Sequence, residues 1–161
     1  MEDLSMTTKW RAALAGAVTV IFLGTAGIRA SEQSGSYVGS EACGECHQEQ
    51  FESFSKYSKK SHTQRGVLKM FSDLEEQEKK ECYECHTTGY GRGGFVSYET
   101  TPQFADVGCE TCHGPGGDHA EYGGDTEYIT RRPLVESCEK CHNAARVKDF
   151  NYKPLLYSGA H

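Results

Sequence analysis

Apolar residues are scarce in this chain. Hydrophobic side chains make up 37% of its 161 residues, eighteen positions are glycine, and the mean hydropathy is −0.63. A chain of this length has room for one small domain, and with so little apolar matter it would struggle to fill a core from side chains alone. On composition it reads as disordered or as a disulfide scaffold, unless something else supplies apolar surface. Positive charge is not in excess either: 17 basic residues against 23 acidic ones give a net charge of −6. That argues against nucleic acid as a partner and for a redox or other protein with a basic face. Beyond residue 30 there is no long apolar run, so contact with a membrane requires the N-terminal segment to be retained.

What is present begins with that segment. Lys9 and Arg11 precede an apolar run from Ala12 to Ile28, and Ile28-Arg29-Ala30 ends it on a small residue. This is the pattern of a signal peptide over residues 1–30. The alternative is an uncleaved anchor, because seventeen residues sit at the short limit for a span. The acidic Glu2 and Asp3 interrupt the basic start and point to Met6 as the first translated residue. Loss of residues 1–30 removes three basic and two acidic side chains, so the net charge falls from −6 to −7. Residues 31–36 then form a polar linker, and residues 37–161 form the domain.

No cysteine in the chain is left over. All eight lie in four Cys-x-x-Cys-His motifs: Cys43, Cys46 and His47; Cys82, Cys85 and His86; Cys109, Cys112 and His113; Cys138, Cys141 and His142. In this motif two thiols form thioethers with the vinyl groups of a haem and the adjacent imidazole ligates its iron. Zinc also uses paired Cys-x-x-Cys units. Against it stand the histidine after every pair, the absence of any spare cysteine and the export pattern, since c-type haem attachment happens outside the cytoplasm. The expected cofactor is four covalent haem c groups, whose flat apolar faces replace the missing core. The motif histidines are 39, 27 and 29 residues apart, too irregular for a repeat array.

Of the seven histidines, His62, His119 and His161 remain as candidate sixth ligands. If a regular helix follows the first motif, His62 lies about 22 Å from His47, at 1.5 Å per residue. Two imidazoles on one iron need their nitrogens about 4 Å apart, so His62 should serve a different haem from the first. His119 follows His113 by six residues, an extended reach of about 20 Å, barely enough to pass round a porphyrin edge; it too should serve another haem. His161 is far enough from His142 for either choice. The result is cross-ligation, in which one haem segment closes the coordination of another and ties the fold together. Four irons and three spare imidazoles leave one iron short. It is either open, or closed by Met70 or by a histidine from a second molecule.

The expected fold is mainly α-helical with long loops and little β-structure, a small multihaem cytochrome c fold wrapped around its haems. Phe51, Phe54 and Tyr57 predict a helix from the first motif towards Lys60, residues 65–81 a second, and Leu134 to Val147 a helix carrying the fourth motif. The glycine-rich stretch from Gly89 to Tyr98 predicts a loop, with a short hairpin as the alternative.

The stretch from Cys82 to Ala120 resembles the cytochrome c-554 family. It does so through Cys85-His86-Thr87-Thr88-Gly89-Tyr90-Gly91, Gly93-Gly94-Phe95, Val107-Gly108-Cys109-Glu110-Thr111-Cys112-His113-Gly114-Pro115-Gly116 and Asp118-His119. Members of that family are tetrahaem carriers that accept electrons from hydroxylamine oxidoreductase. The resemblance implies that the haem of His86 lacks a strong sixth ligand, that His119 ligates the haem of His47, and that His62 and His161 share the third and fourth haems. The chain is shorter than that family after its fourth motif. The expected function is electron transfer, as carrier or relay, in the periplasm or outside the cell, with redox proteins as donor and acceptor. Two alternatives accompany it. One is an enzyme acting on a small nitrogen species such as NO at an open haem of His86, although no convincing set of acid–base residues is visible. The other is self-association into an oligomer or an extracellular filament.

Overall fold

A computed structural model describes residues 35–146 and Lys153. All of them belong to the compact unit Ser31–His161. The signal-peptide segment 1–30 and His161 lie outside the described residues. Among the described residues there are seven short α-helices, several 3₁₀ turns and no strand: α1 Ser40–Gly44, α2 Gln48–Tyr57, α3 Thr63–Val67, α4 Glu76–His86, α5 Cys109–His113, α6 Gly117–Glu121 and α7 Val135–Glu139. The mainly α, loop-rich fold is the one expected. No helix in this set is long and apolar enough to cross a membrane.

The helix after the first motif is shorter than the sequence predicts. In α2, Phe51 and Phe54 share a face, Glu49 sits in the first turn and Lys56 in the last. The helix stops where Ser58 turns extended (φ −82°, ψ 124°). The buried Ser58 then accepts from Lys60 N and starts a 3₁₀ turn over Lys59–His62. Ser61 Oγ donates to Ser58 O at 2.8 Å, folding that turn back on α2.

The single helix expected over residues 65–81 is three pieces: α3, a 3₁₀ turn over Leu68–Asp73, and the start of α4. Leu74 and Glu75 are both extended, and Glu75 opens α4 with a reciprocal capping box to Glu78, which satisfies two otherwise orphaned amides. The new helix runs on through the second motif to His86. Expected over Leu134 to Val147, the last helix is confined to α7, and turns follow it through Arg146.

The side-chain core is small, aromatic and placed beside the second motif. Phe95, Phe104 and Ala105 are buried, with Tyr37, Tyr83, Tyr90 and Tyr98 packed against them. Tyr83, the first residue between Cys82 and Cys85, touches Phe71, Tyr90, Phe95 and Tyr98 at centroid distances of 5.1–5.9 Å. Such edge-on pairs add ~0.5–1.5 kcal/mol each beyond area burial. The loop over Gly89–Tyr98 makes this packing possible. It is a set of turns rather than a β-ladder, with Gly94 N donating to Gly89 O and Phe95 N to Thr88 O. Gly89 has φ +70° and lies under the Tyr37 ring, and a Cβ on Gly94 would run into the Thr88 carbonyl oxygen.

Candidate haem-binding sites

Each motif is built on one helical turn or its close equivalent. The first begins on α1 and the second ends α4; the third is α5 entire, and the fourth starts on α7. His47 N donates to Cys43 O at 2.8 Å and His142 N to Cys138 O at 2.9 Å, the i to i−4 bond of a helix. Positions i, i+3 and i+4 share one face of a helix. Both sulfurs and the imidazole of a motif therefore point to one side, as a covalently held porphyrin requires. None of the eight cysteines is in a disulfide.

The motifs interleave rather than following chain order. Cys43 of the first and Cys109 of the third share a thiol hydrogen bond, which holds the Cys43 thiol far above its usual range and lowers that of Cys109 to about 6. Cys85 of the second meets Cys141 of the fourth, where burial first, and then that hydrogen bond, push Cys141 up to about 12. Burial raises Cys112, and the charge of nearby Cys138 adds to it. These shifts report packing, since a thioether sulfur carries no proton. Together they order the attachment points as first, third, fourth, second.

Between the last three motifs lies a cavity of about 370 Å³, lined by Cys82, Cys85 and His86, by Cys112, and by Cys138, Cys141 and His142. Burial, helped by Arg146, lowers the pKa of His86; burial, then Lys60 and His86, lower that of His142. Both imidazoles are thereby kept neutral, the form that binds a metal. Among the described residues no three His, Cys, Asp or Glu side chains converge to hold an ion by themselves. A porphyrin brings its own four nitrogens and asks the chain only for axial ligands and thioethers, so the donor set fits haem.

Two candidate ligands lie near each other with their ring planes almost parallel. The rings of His47 and His119 have centroids 6.2 Å apart and planes within 12°. Two Fe–N bonds of ~2 Å plus a ring radius of ~1.1 Å at each end, from bonds of ~1.33 Å, also give about 6 Å. His119 Nδ1 donates to Asp125 O at 2.8 Å, and His113 Nδ1 to Thr130 O at 2.7 Å. Each bond fixes the proton on Nδ1 and leaves the Nε2 lone pair for iron. His62 is differently placed: its Nε2 bonds Ser55 O at 3.0 Å, folding the side chain back on α2. Ser55 is eight residues beyond His47, about 12 Å along a helix, so the distance between His47 and His62 is set by this fold-back and not by a continuous helix. Met70 is exposed.

Two polar groups that the motif pattern does not flag hold the frame together. Thr63 Oγ1 bridges His86 O (2.7 Å) and Asp106 Oδ1 (3.2 Å), and Asp106 also accepts from Gln64 N at 2.7 Å. Glu110, inside the third motif, is 3% exposed and accepts from Val38 N, Gly39 N and Gly116 N. The only trace in the sequence is an acid among small residues (Gly108, Gly114, Gly116).

The family model for cytochrome c554 and c-prime matches residues 42–114. A curated cytochrome c-554 from Nitrosomonas europaea is 33% identical over 154 aligned residues, covering 77% of this chain and 62% of that protein. The chain thus spans about three-fifths of its relative's length. A solved structure of reduced cytochrome c554 from the same organism aligns over 76% of each chain, at 22% identity and a TM-score of 0.48. The chain is similar to the cytochrome c554 family, and it is a multihaem c-type cytochrome with four covalently bound haem c groups, one on each Cys-x-x-Cys-His motif.

Proposed function

We propose that the protein is an electron carrier or relay of the periplasm or cell exterior. The observation that carries this reading is the grouping of the attachment points: Cys43 lies against Cys109 and Cys85 against Cys141, and Cys112 lines one cavity with Cys138, Cys141 and Cys85. Haem iron supplies a one-electron ferric/ferrous couple, whose potential the chain tunes through ligation, burial and nearby charge. His47 and His119 are the residues proposed to hold the iron of the first haem; His119, fixed by its bond to Asp125 O, need not leave during electron transfer. His62 and His161 are proposed as ligands of the third and fourth. The export-type N-terminus supports the location. Rapid mixing with an external donor and acceptor should reduce and reoxidise all four haems; failure of all four to exchange electrons would sink the reading. With a net charge of −6, or −7 without residues 1–30, the rate with a basic-faced partner is expected to fall with added salt. Past ~0.1 M the Debye length drops below ~10 Å. A rate indifferent to salt would speak against such a partner.

A second reading is favoured by the cavity. Among the described residues its lining histidines are His86 and His142, both motif residues, and His161 can close at most one of those irons. An open position on the haem of His86 would admit a small ligand such as NO. Its marks are a high-spin ferric EPR signal from one haem in four and CO binding after reduction. An all low-spin spectrum with no CO binding would dispose of an accessible site.

A further inference from the structure

The one buried carboxylate inside a haem motif has no part in binding haem. Glu110 is 3% exposed, and its oxygens take three backbone amides: Val38 N at 3.0 Å, Gly39 N at 2.8 Å and Gly116 N at 2.8 Å. Three backbone amide donors converge on it, from the segment before Cys43 and from Gly116. Amides are dipoles and cancel no net charge. Among the described residues the ion pair present is Lys79–Glu76, and no described cation pairs with Glu110.

Its position is set by two haem segments at once. It follows Cys109 directly, and it reaches across to the segment before Cys43, where Gly39 both donates to Glu110 Oε2 and accepts from Cys43 Sγ at 3.6 Å. Ser40 Oγ accepts from Cys109 N at 3.1 Å and completes the join. Glu110 thus follows the Cys109 sulfur directly in the chain and is bonded to the residue that accepts from the Cys43 sulfur. Those sulfurs are the attachment points of the first and third haems.

We propose that Glu110 is a shared electrostatic control of the first and third haems, its buried negative charge lowering both reduction potentials together. Reduction adds one electron and removes the net positive charge of a ferric porphyrin, so a fixed anion nearby favours the ferric side. At an effective dielectric of ~20, a unit charge ~10 Å away changes such an equilibrium roughly tenfold. Setting two adjacent haems from one charge keeps their potentials in step and lets an electron pass between them with little loss in driving force. The proposal stands on the haem attachments and not on the relay order, so the electron-exchange experiment above can succeed or fail independently.

The test is a redox titration of the holoprotein followed by NMR, each haem's methyl signals being assigned through its own cysteines. Glu110→Gln is expected to raise the first and third potentials, each by roughly tenfold in the reduction equilibrium, ~59 mV for a one-electron couple. The second and fourth should move much less, and the low-spin EPR signals should stay in place. Glu110→Asp keeps the charge but draws it back by one methylene, and should raise the same two potentials by less. Ser40→Ala removes a bond of the same joint without touching charge and should leave the pattern alone. A uniform shift of all four haems, no shift, or equal effects from Gln, Asp and Ser40→Ala would overturn the proposal in favour of a purely structural clamp. So would failure of both Glu110 variants to mature.

Discussion

His119 is held in one orientation by a single carbonyl. With Nδ1–H given to Asp125 O and the ring centre 6.2 Å from that of His47, its Nε2 has one use that the geometry supports. His119→Ala is expected to convert one haem in four from low-spin to high-spin and to create one CO-binding site in the reduced protein. EPR and CO difference spectra check this, and an unchanged low-spin count would show that His119 does not ligate. Tyr98 presents the opposite case. Its hydroxyl is covered and has no hydrogen-bond partner among the described residues, and burial pushes its pKa up to about 12. A raised folded-state value for this acidic group means that its neutral form is the one the fold favours. The contribution is whole below pH ~10, the ordinary tyrosine value, and is lost as pH rises towards about 12. Tyr98→Phe removes an unsatisfied buried group and should stabilise the protein by about 1 kcal/mol, while flattening the alkaline part of its stability profile. Denaturant titrations at neutral and alkaline pH read both effects. The attachment residues were all legible in the sequence, because thioether chemistry fixes their spacing. The fold of His62 onto Ser55 and the burial of Glu110 were not, because each depends on a chain break or on a partner some seventy residues away.

Helix boundaries show the same division at the next scale. Helical character around the motifs could be read from Phe51, Phe54 and the charged run before Cys82. The stops could not: Ser58, Leu74 and Glu75 are ordinary residues whose extended backbones follow from burial of Ser58 and from the Glu75–Glu78 capping box. Periodicity carries no signal for a capping box that restarts a helix in the middle of a polar run. The glycine-rich loop was correctly placed but not its purpose, which is to lay Phe95 and Tyr98 against Tyr83 inside the second motif. Gly94 is the position on which this packing depends most directly, since a side chain there meets the Thr88 carbonyl. Gly94→Ala should therefore cost about 1–3 kcal/mol, the range for overpacking. It should also disturb the haem of His86 more than the others, because Thr88 and Phe95 pack behind α4. Thermal unfolding and the haem-resolved NMR titration report the two effects. A variant as stable as the parent, with the second haem unmoved, would mean that the loop can shift without consequence.

For the whole molecule, the described residues bury six apolar side chains, Phe54, Val67, Phe95, Phe104, Ala105 and Val107. Three of them form one cluster beside the second motif. Segments around the first, third and fourth motifs have almost no apolar partner of their own, yet the first and third are joined through Glu110, Ser40 and paired cysteines, and the fourth meets the second through Cys141. Covalent haem explains how so sparse a core can suffice: each ring offers an apolar face to the segment holding it, and an imidazole from another segment, as proposed for His119 beside His47, would turn an iron into a tie between segments. The consequence is that folding and haem attachment are one process. Chain produced without haem attachment, its eight cysteines intact and reduced, is expected to lose most of its helical circular dichroism and its cooperative melting. Proteases should cut first between residues 107 and 146, where side-chain packing is thinnest, and last around residues 83–105, where the aromatic cluster can persist alone. Holoprotein under the same conditions should resist cleavage throughout. A haem-free chain that kept native helix content and one sharp thermal transition would show that the polypeptide carries its own core, and the tying role assigned to the four haems would have to be abandoned.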